Sequence, residues 1–271
     1  MLNSVTILNF DGAYSQQTFY QKHPHQTVDF ESIRNASLLC DRENLTMMYE
    51  TLQKRRCSGV HYLGSGNYHY LSFLLQYNIS KPYTLILFDH HTDTIPSPSE
   101  NLISCGSWVL NSLDHFSMLH KVIMIGVGED AKEHIPPSIQ HKVILYTKNS
   151  LPDNTQTLLN EIETDSVYIS IDKDVLNTKE AITDWDQGSM SLQTLLEILK
   201  EIIQQKEILG ADVCGEYPVN PTNEYDLETQ AAIEINNDTN HIIFENIKRW
   251  ENYKSRNLVH YSRNKILQKH S

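Results

Sequence analysis

The chain has 271 residues, which suits one large domain or two small ones. Hydrophobic residues make up 39%, enough for a sizeable core, yet no apolar run approaches the roughly 18 residues a membrane helix needs. Acidic residues outnumber basic ones 34 to 22, a net charge of −12, which argues against a nucleic-acid partner and weakly for small cationic ligands.

The N-terminal "MLNSVTILNFDGAY" lacks a basic start and a small-residue cleavage site, so no signal peptide is expected. Short apolar, β-branched runs then predict strands at Val5–Phe10, Val60–Leu63, Thr84–Phe88, Val122–Val127, Val143–Tyr146, Val167–Ile171 and Ile208–Val213. Helical patterns lie between them at Leu45–Arg56, Tyr70–Tyr77, Thr155–Ile162 and Leu192–Gln205. In the last of these, Leu192, Leu195, Leu196, Leu199, Ile202 and Ile203 form one apolar face, with Ser191 as the expected N-cap. A polar tail from Tyr225 to Lys269 has partial helical periodicity. No repeat, low-complexity tract or Pro/Gly-rich linker divides the chain. The alternation predicts one α/β domain over residues 1–271, a mostly parallel sheet covered on both faces, with a helical C-terminal tail. The four cysteines, Cys40, Cys57, Cys105 and Cys214, have no paired spacing and read as free thiols in a reducing, cytoplasmic setting.

Ligands of open parallel sheets bind beyond the carboxyl ends of the strands. At that address the sequence places "GSGNYH" ending in His69, "DHHTD" with Asp89, His91 and Asp93, "DKD" with Asp172 and Asp174, and "CGE" with Glu216. Residues two apart share a side only in extended chain, so the two aspartate clusters are expected to converge by continuing their strands. Four carboxylates in one pocket repel one another strongly, and divalent cations relieve that repulsion. Oxygen and imidazole donors without thiolate suit Mn²⁺ first, with Fe²⁺, Ni²⁺ or Zn²⁺ as alternatives. Six donors exceed the needs of one ion, whereas two ions at roughly 3.5–4 Å would share bridging carboxylates.

These motifs resemble those of the ureohydrolase family: arginase, agmatinase, formiminoglutamase and relatives. "GNYH" (Gly66–His69) resembles its G-G-D-H, "DHHTD" its D-x-H-x-D and "SIDKD" (Ser170–Asp174) its S-x-D-x-D. "DVCGEYP" (Asp212–Pro218) resembles D-x-x-E-x-x-P with one more residue before the glutamate. The resemblance spans Val60 to Pro218. It implies a three-layer α/β/α fold and two Mn²⁺ ions, one held by His69, Asp89, Asp93 and Asp172, the other by Asp89, His91, Asp172 and Asp174. It further implies a metal-bridging hydroxide as nucleophile, cleaving a C–N bond of a guanidino, amidino or related small molecule. Asp93 would orient that nucleophile and pass its proton to the leaving amine, and Glu216 would bind a guanidinium or amidine-like group. A small-molecule substrate, no nucleic-acid or membrane partner, and a homo-oligomer are the corresponding expectations.

The chain also departs from the family pattern. Tyr68 stands where the family has Asp, Ile95 where arginases have an asparagine that contacts the α-carboxylate, and Cys105 where many members have a histidine. Cys105 is then a proton relay, a metal ligand, a covalent nucleophile or a packed hydrophobe. "TDWDQGSMSL" replaces a glycine-rich loop, and its Asp184 and Asp186 are either substrate contacts or caps of the helix that begins near Ser191. Together these changes disfavour free arginine as substrate. A catalytically altered metal-binding protein and a one-zinc amide deacetylase are the two alternative functions.

Overall fold

The segment Tyr83–Phe88 is buried at every position, the pattern of a strand covered on both faces. The computed structural model describes residues 2–152 and 154–267, with side chains described through residue 256. Its strands are β1 (Val5–Asn9), β2 (His25–Asp29), β3 (Leu39–Asp41), β4 (Val60–Tyr62), β5 (Tyr83–Phe88), β6 (Leu102–Ser104), β7 (Leu119–Val127), β8 (Val143–Thr147), β9 (Ser166–Asp172) and β10 (Glu207–Cys214). Its helices are α1 (Arg42–Arg55), α2 (Leu71–Leu75), α3 (Trp108–His115), α4 (Ala131–His134), α5 (Thr155–Asn160), α6 (Leu192–Gln205) and α7 (Leu227–Leu267).

Eight strands form one sheet in the order β2-β1-β4-β10-β9-β5-β7-β8. Every neighbouring pair in it is parallel. The sheet is therefore more uniform than the mostly parallel one expected; the antiparallel pairing is confined to the separate β3–β6 pair. Side chains alternate along the strands and build two cores. Ile86 and Phe88 of β5 join Ile169 and Ile171 of β9 on one face, under Leu195 and Leu199 of α6 and Ile243, Phe244 and Ile247 of α7. Leu85 and Leu87 join Val122 and Met124 of β7 on the other, under Met48 of α1, Leu71 of α2 and Trp108 of α3. The architecture is the three-layer α/β/α expected.

All seven anticipated strands are present, and α6 has the predicted bounds, with Ser191 accepting from the Thr194 amide as its N-cap. Strands β2, β3 and β6 were not foreseen. β2 is polar and mostly exposed, and β3 and β6 have three residues each, so only pairing defines them. The tail forms one long helix whose start lies two residues after Tyr225; residues 268 and 269 of the predicted helix lie outside those described. No described helix is long and apolar enough to cross a membrane.

Candidate active site

The four motif-bearing strands β4, β10, β9 and β5 are consecutive in the sheet. Because they are parallel, their carboxyl ends open at one edge, and the motifs meet there. His69, Asp89, Asp93, Asp172 and Asp174 are all buried, with exposures of 8% or less. The His69 Nδ1 lies 3.1 Å from Asp93 Oδ2 and 3.4 Å from both Asp89 Oδ2 and Asp172 Oδ2. His91 Nδ1 lies 2.9 Å from Asp174 Oδ2 and 3.6 Å from Asp89 Oδ1. All six predicted metal ligands thus converge.

They do not converge by continuing their strands, as the spacing suggested. β5 ends at Phe88 and β9 at Asp172, and each cluster folds into a tight turn around its first aspartate. Asp89 Oδ1 accepts from the His91 amide at 2.6 Å, and Asp172 Oδ1 accepts from the Asp174 amide at 3.0 Å. These are Asx-type turns, in which a carboxylate bonds the backbone two residues on. In both, the second oxygen is left to face His69. Asp93 completes its turn at φ +51°, a left-handed conformation rare for a residue with a Cβ. Its backbone carbonyl accepts from the Val109 amide, and its Oδ2 accepts from the Trp108 indole at 2.6 Å. Asp174 is fixed in turn by the His90 amide, which donates to its Oδ1 at 3.0 Å.

The orientation of His69 is set from behind. Ser170 Oγ donates to Asp212 Oδ1 at 2.7 Å, so its oxygen accepts the His69 Nε2–H at 2.9 Å. Nδ1 is the ring nitrogen left to bind a cation. Tyr168 and Ser72 hydroxyls also donate to Asp212. Tyr68 takes no part in this; it stacks on Phe10 at 4.4 Å in the core. Ser170, Asp212 and Trp108 were not singled out from the sequence. The signal was present in the ladder: Asp212 pairs with Ser170, and Cys214 with Asp172. Cys214, fully buried, donates its thiol to Asp172 Oδ2 at 3.0 Å.

The cluster fits divalent cations. Asp89 Oδ2 is buried and accepts no hydrogen bond, its nearest cation being His69 at 3.4 Å. His69, Asp172 and Cys214 offer three donor atoms within 4.8 Å of one another, and so do two groups that share Asp89: His69, Asp89 and Asp93, and Asp89, His91 and Asp174. Asp89 belongs to both groups, as a bridging ligand would. The charges strain against one another. Burial, then the neighbouring Asp174 and Asp93, push the Asp89 carboxyl well up. Burial and Asp174 raise Asp172 to about 6. Burial alone would lower His69, but Asp93, Asp172 and Asp89 outweigh it and raise it to about 10. A cation held at Nδ1 would take the place of that proton. A separate cluster, His23, His241 and Glu245, lies on α7 and the segment before β2. There His23 bonds Glu245 at 2.9 Å and faces the Lys248 ammonium at 3.2 Å, an ion-pair arrangement.

The ligands form the floor of a cleft of about 580 Å³. Cys105 and Asp186 line it, and Ser191 and Glu180, not Asp184 or Asp186, cap α6. Cys105 is 7% exposed, and burial, then Asp93, push its thiol up to about 12. Glu216 is the correction. It does not line the cleft: its carboxylate pairs with the buried Lys173 ammonium and accepts from Gln17 and Asn240, each at 2.7 Å. The cause is Gly215, at φ +86°, which ends β10 and turns the chain aside. A Cβ there would sit 2.5 Å from Asp172 Oδ1, so only glycine fits.

A parallel sheet with a cluster of acidic and histidine donors at the ends of its central strands defines a class of α/β metal-site proteins. Residues 18–237 match the arginase family, and the chain belongs to it. An uncharacterized protein of Thermotoga maritima is 32% identical over 212 residues, 78% of this chain and 79% of that one. Formimidoylglutamase from Bacillus subtilis superposes with a TM-score of 0.63 at 15% identity, covering 90% of this chain and 85% of the other. Arginase from Bacillus caldovelox does so with a TM-score of 0.58 at 16% identity, covering 88% and 98%.

Proposed function

We propose that the protein is a dinuclear metal-dependent hydrolase that cleaves a C–N bond of an amidine, guanidine or related small molecule. The observation that carries this reading is the buried Asp89 carboxylate, shared between two three-donor groups and left with an oxygen that accepts no hydrogen bond. His69, Asp89, Asp93 and Asp172 would hold one ion, and Asp89, His91, Asp172 and Asp174 the other, with Mn²⁺ as the expected metal. Such a pair of cations supplies an activated water at neutral pH and polarises the bond to be cut. Asp93 accepts the proton of the attacking water and returns it to the departing amine. The Trp108 indole N–H holds the Asp93 carboxylate that does this. With Glu216 withdrawn, Asp130 and Asp186 are the rim carboxylates of the cleft. Cys105 contributes to the cleft wall as a neutral thiol.

The family membership and the full ligand set support two ions over the single zinc of an amide deacetylase. The test is elemental analysis of the Mn²⁺-reconstituted protein, followed by turnover on a panel of guanidino and amidino compounds. About two ions per chain and release of an amine or urea support the reading. One tightly held ion with no turnover overturns it.

A further inference from the structure

Three large apolar side chains at the mouth of the cleft stand open to solvent: Leu38 is 44% exposed, Leu39 38% and Ile95 61%. They come from two distant segments, yet backbone hydrogen bonds join those segments into one wall. The Cys105 amide donates to the Leu38 carbonyl at 3.0 Å, and the Ile95 amide donates to the Gly106 carbonyl at 2.9 Å. Leu38 itself sits at φ +68°. A leucine gains nothing locally from a left-handed conformation, and such residues persist only where the surroundings over-determine them. Here the Leu38 amide is held by the Asn67 carbonyl, two residues before the His69 ligand, while its carbonyl is held by Cys105. The fold thus keeps a strained, exposed leucine on the lining of the cleft that holds the candidate metal ligands.

Charge on the rim disfavours an anionic tail. Asp130 and Asp186 line the cleft, and no Lys or Arg does so among the described residues. A substrate carboxylate would meet these two like charges, and the rim imidazoles His90 and His134 already face Asp186 at 3.9 Å and Asp130 at 3.3 Å. An uncharged apolar substituent would instead cover Leu38, Leu39 and Ile95, removing their surface from water on binding.

We propose that the Leu38–Leu39–Ile95 wall selects substrates whose metal-directed head group carries an uncharged apolar substituent and no carboxylate. This rests on the proposed function for its head group, and it names the class of tail. The preference is read without turnover by using hydroxamates, which chelate metal whatever bond the enzyme cuts. Hexanohydroxamic acid, the monohydroxamate of adipic acid and 6-aminohexanohydroxamic acid share head and chain length and differ only in tail. Titrated into Mn²⁺-loaded protein by calorimetry, the alkyl compound should bind at least about tenfold more tightly than the carboxylate one, the yield of one well-covered apolar side chain, and more tightly than the ammonium one, whose attraction to the rim aspartates does not replace the apolar contact. Leu38→Asn should erase that preference, and asparagine tolerates the left-handed backbone, so the variant keeps its fold. Ile95→Asn, at an exposed position, should weaken it in the same direction. A carboxylate or ammonium tail bound as tightly as the alkyl tail overturns the proposal, as does an unchanged preference in both variants or no binding by any of the three. Failure of the guanidino panel with the alkyl preference intact would instead strike the proposed reaction and leave the selectivity standing.

Discussion

At the scale of single residues, the two turn-forming aspartates carry different burdens from their neighbours. Asp89 serves both donor groups, whereas Asp174 serves one. Asp89→Asn should therefore strip both ions and Asp174→Asn mainly one, as read by elemental analysis after gel filtration from Mn²⁺. Glu216 behaves unlike a substrate ligand. Its pair with Lys173 is fully buried, and removing one partner of such a pair leaves an uncompensated charge that costs about 3–5 kcal/mol. Glu216→Gln should lower unfolding free energy by an amount near that range in urea titrations, and leave KM within about twofold where lost substrate binding would raise it. The ligands were legible because acidic and histidine residues that end apolar runs are expensive to bury without a purpose. The direction of Glu216 was not, because one left-handed glycine decides it, and a glycine in "CGE" carries no mark of its φ. Leu38 was silent for the same reason: its strain lies in the backbone.

At the scale of elements, each strand end delivers its ligand through a specific contact from a neighbouring element. The turn after β10 passes so close to Asp172 that Gly215 cannot carry a side chain, with Asp172 Oδ1 at 2.5 Å and the Lys173 amide nitrogen at 2.7 Å from an ideal Cβ. Gly215→Ala should destabilise the protein by more than about 2 kcal/mol and lower metal content, because the obstruction is partly backbone and cannot rotate away. The first residue of α3, Trp108, reaches the opposite ligand. Trp108→Phe keeps a ring beside His69, now 4.8 Å away between centroids, but removes the N–H that Asp93 accepts. Losing such a supporting bond typically weakens metal affinity about 10–100-fold, so Mn²⁺ titration monitored by calorimetry should show one site weakened and one retained. Strands with apolar runs and the strongly periodic α6 were readable from sequence. Helix α3 and the pair β3–β6 were not, since short elements with mixed composition are specified by what they pack against.

At the scale of the whole molecule, the proposed metal site would share its stability with the fold. Each ion held at a hundred times its Kd contributes about 2.7 kcal/mol to the folded state. For a chain of this size that is roughly 5–10 °C of Tm, so chelation with EDTA should lower the melting temperature by at least that interval, reversibly on returning Mn²⁺. The strand order has a second consequence, which concerns the time at which the protein can acquire its metals. β4 and β5 are separated in sequence by 20 residues, but in the sheet β10 and β9 lie between them. A nascent chain that has emerged only through β8 holds Asp89, His91 and Asp93 on one loop but lacks Asp172 and Asp174 and the central pair of strands that sets His69 in register with them. Such long-range pairings form late and slowly. The carboxylates therefore cannot be caged around an ion during early synthesis, and the first half of the chain has no closed site in which to trap a wrong cation. In the proposed metalloenzyme, the full ligand set is therefore complete only once β9 and β10 have emerged.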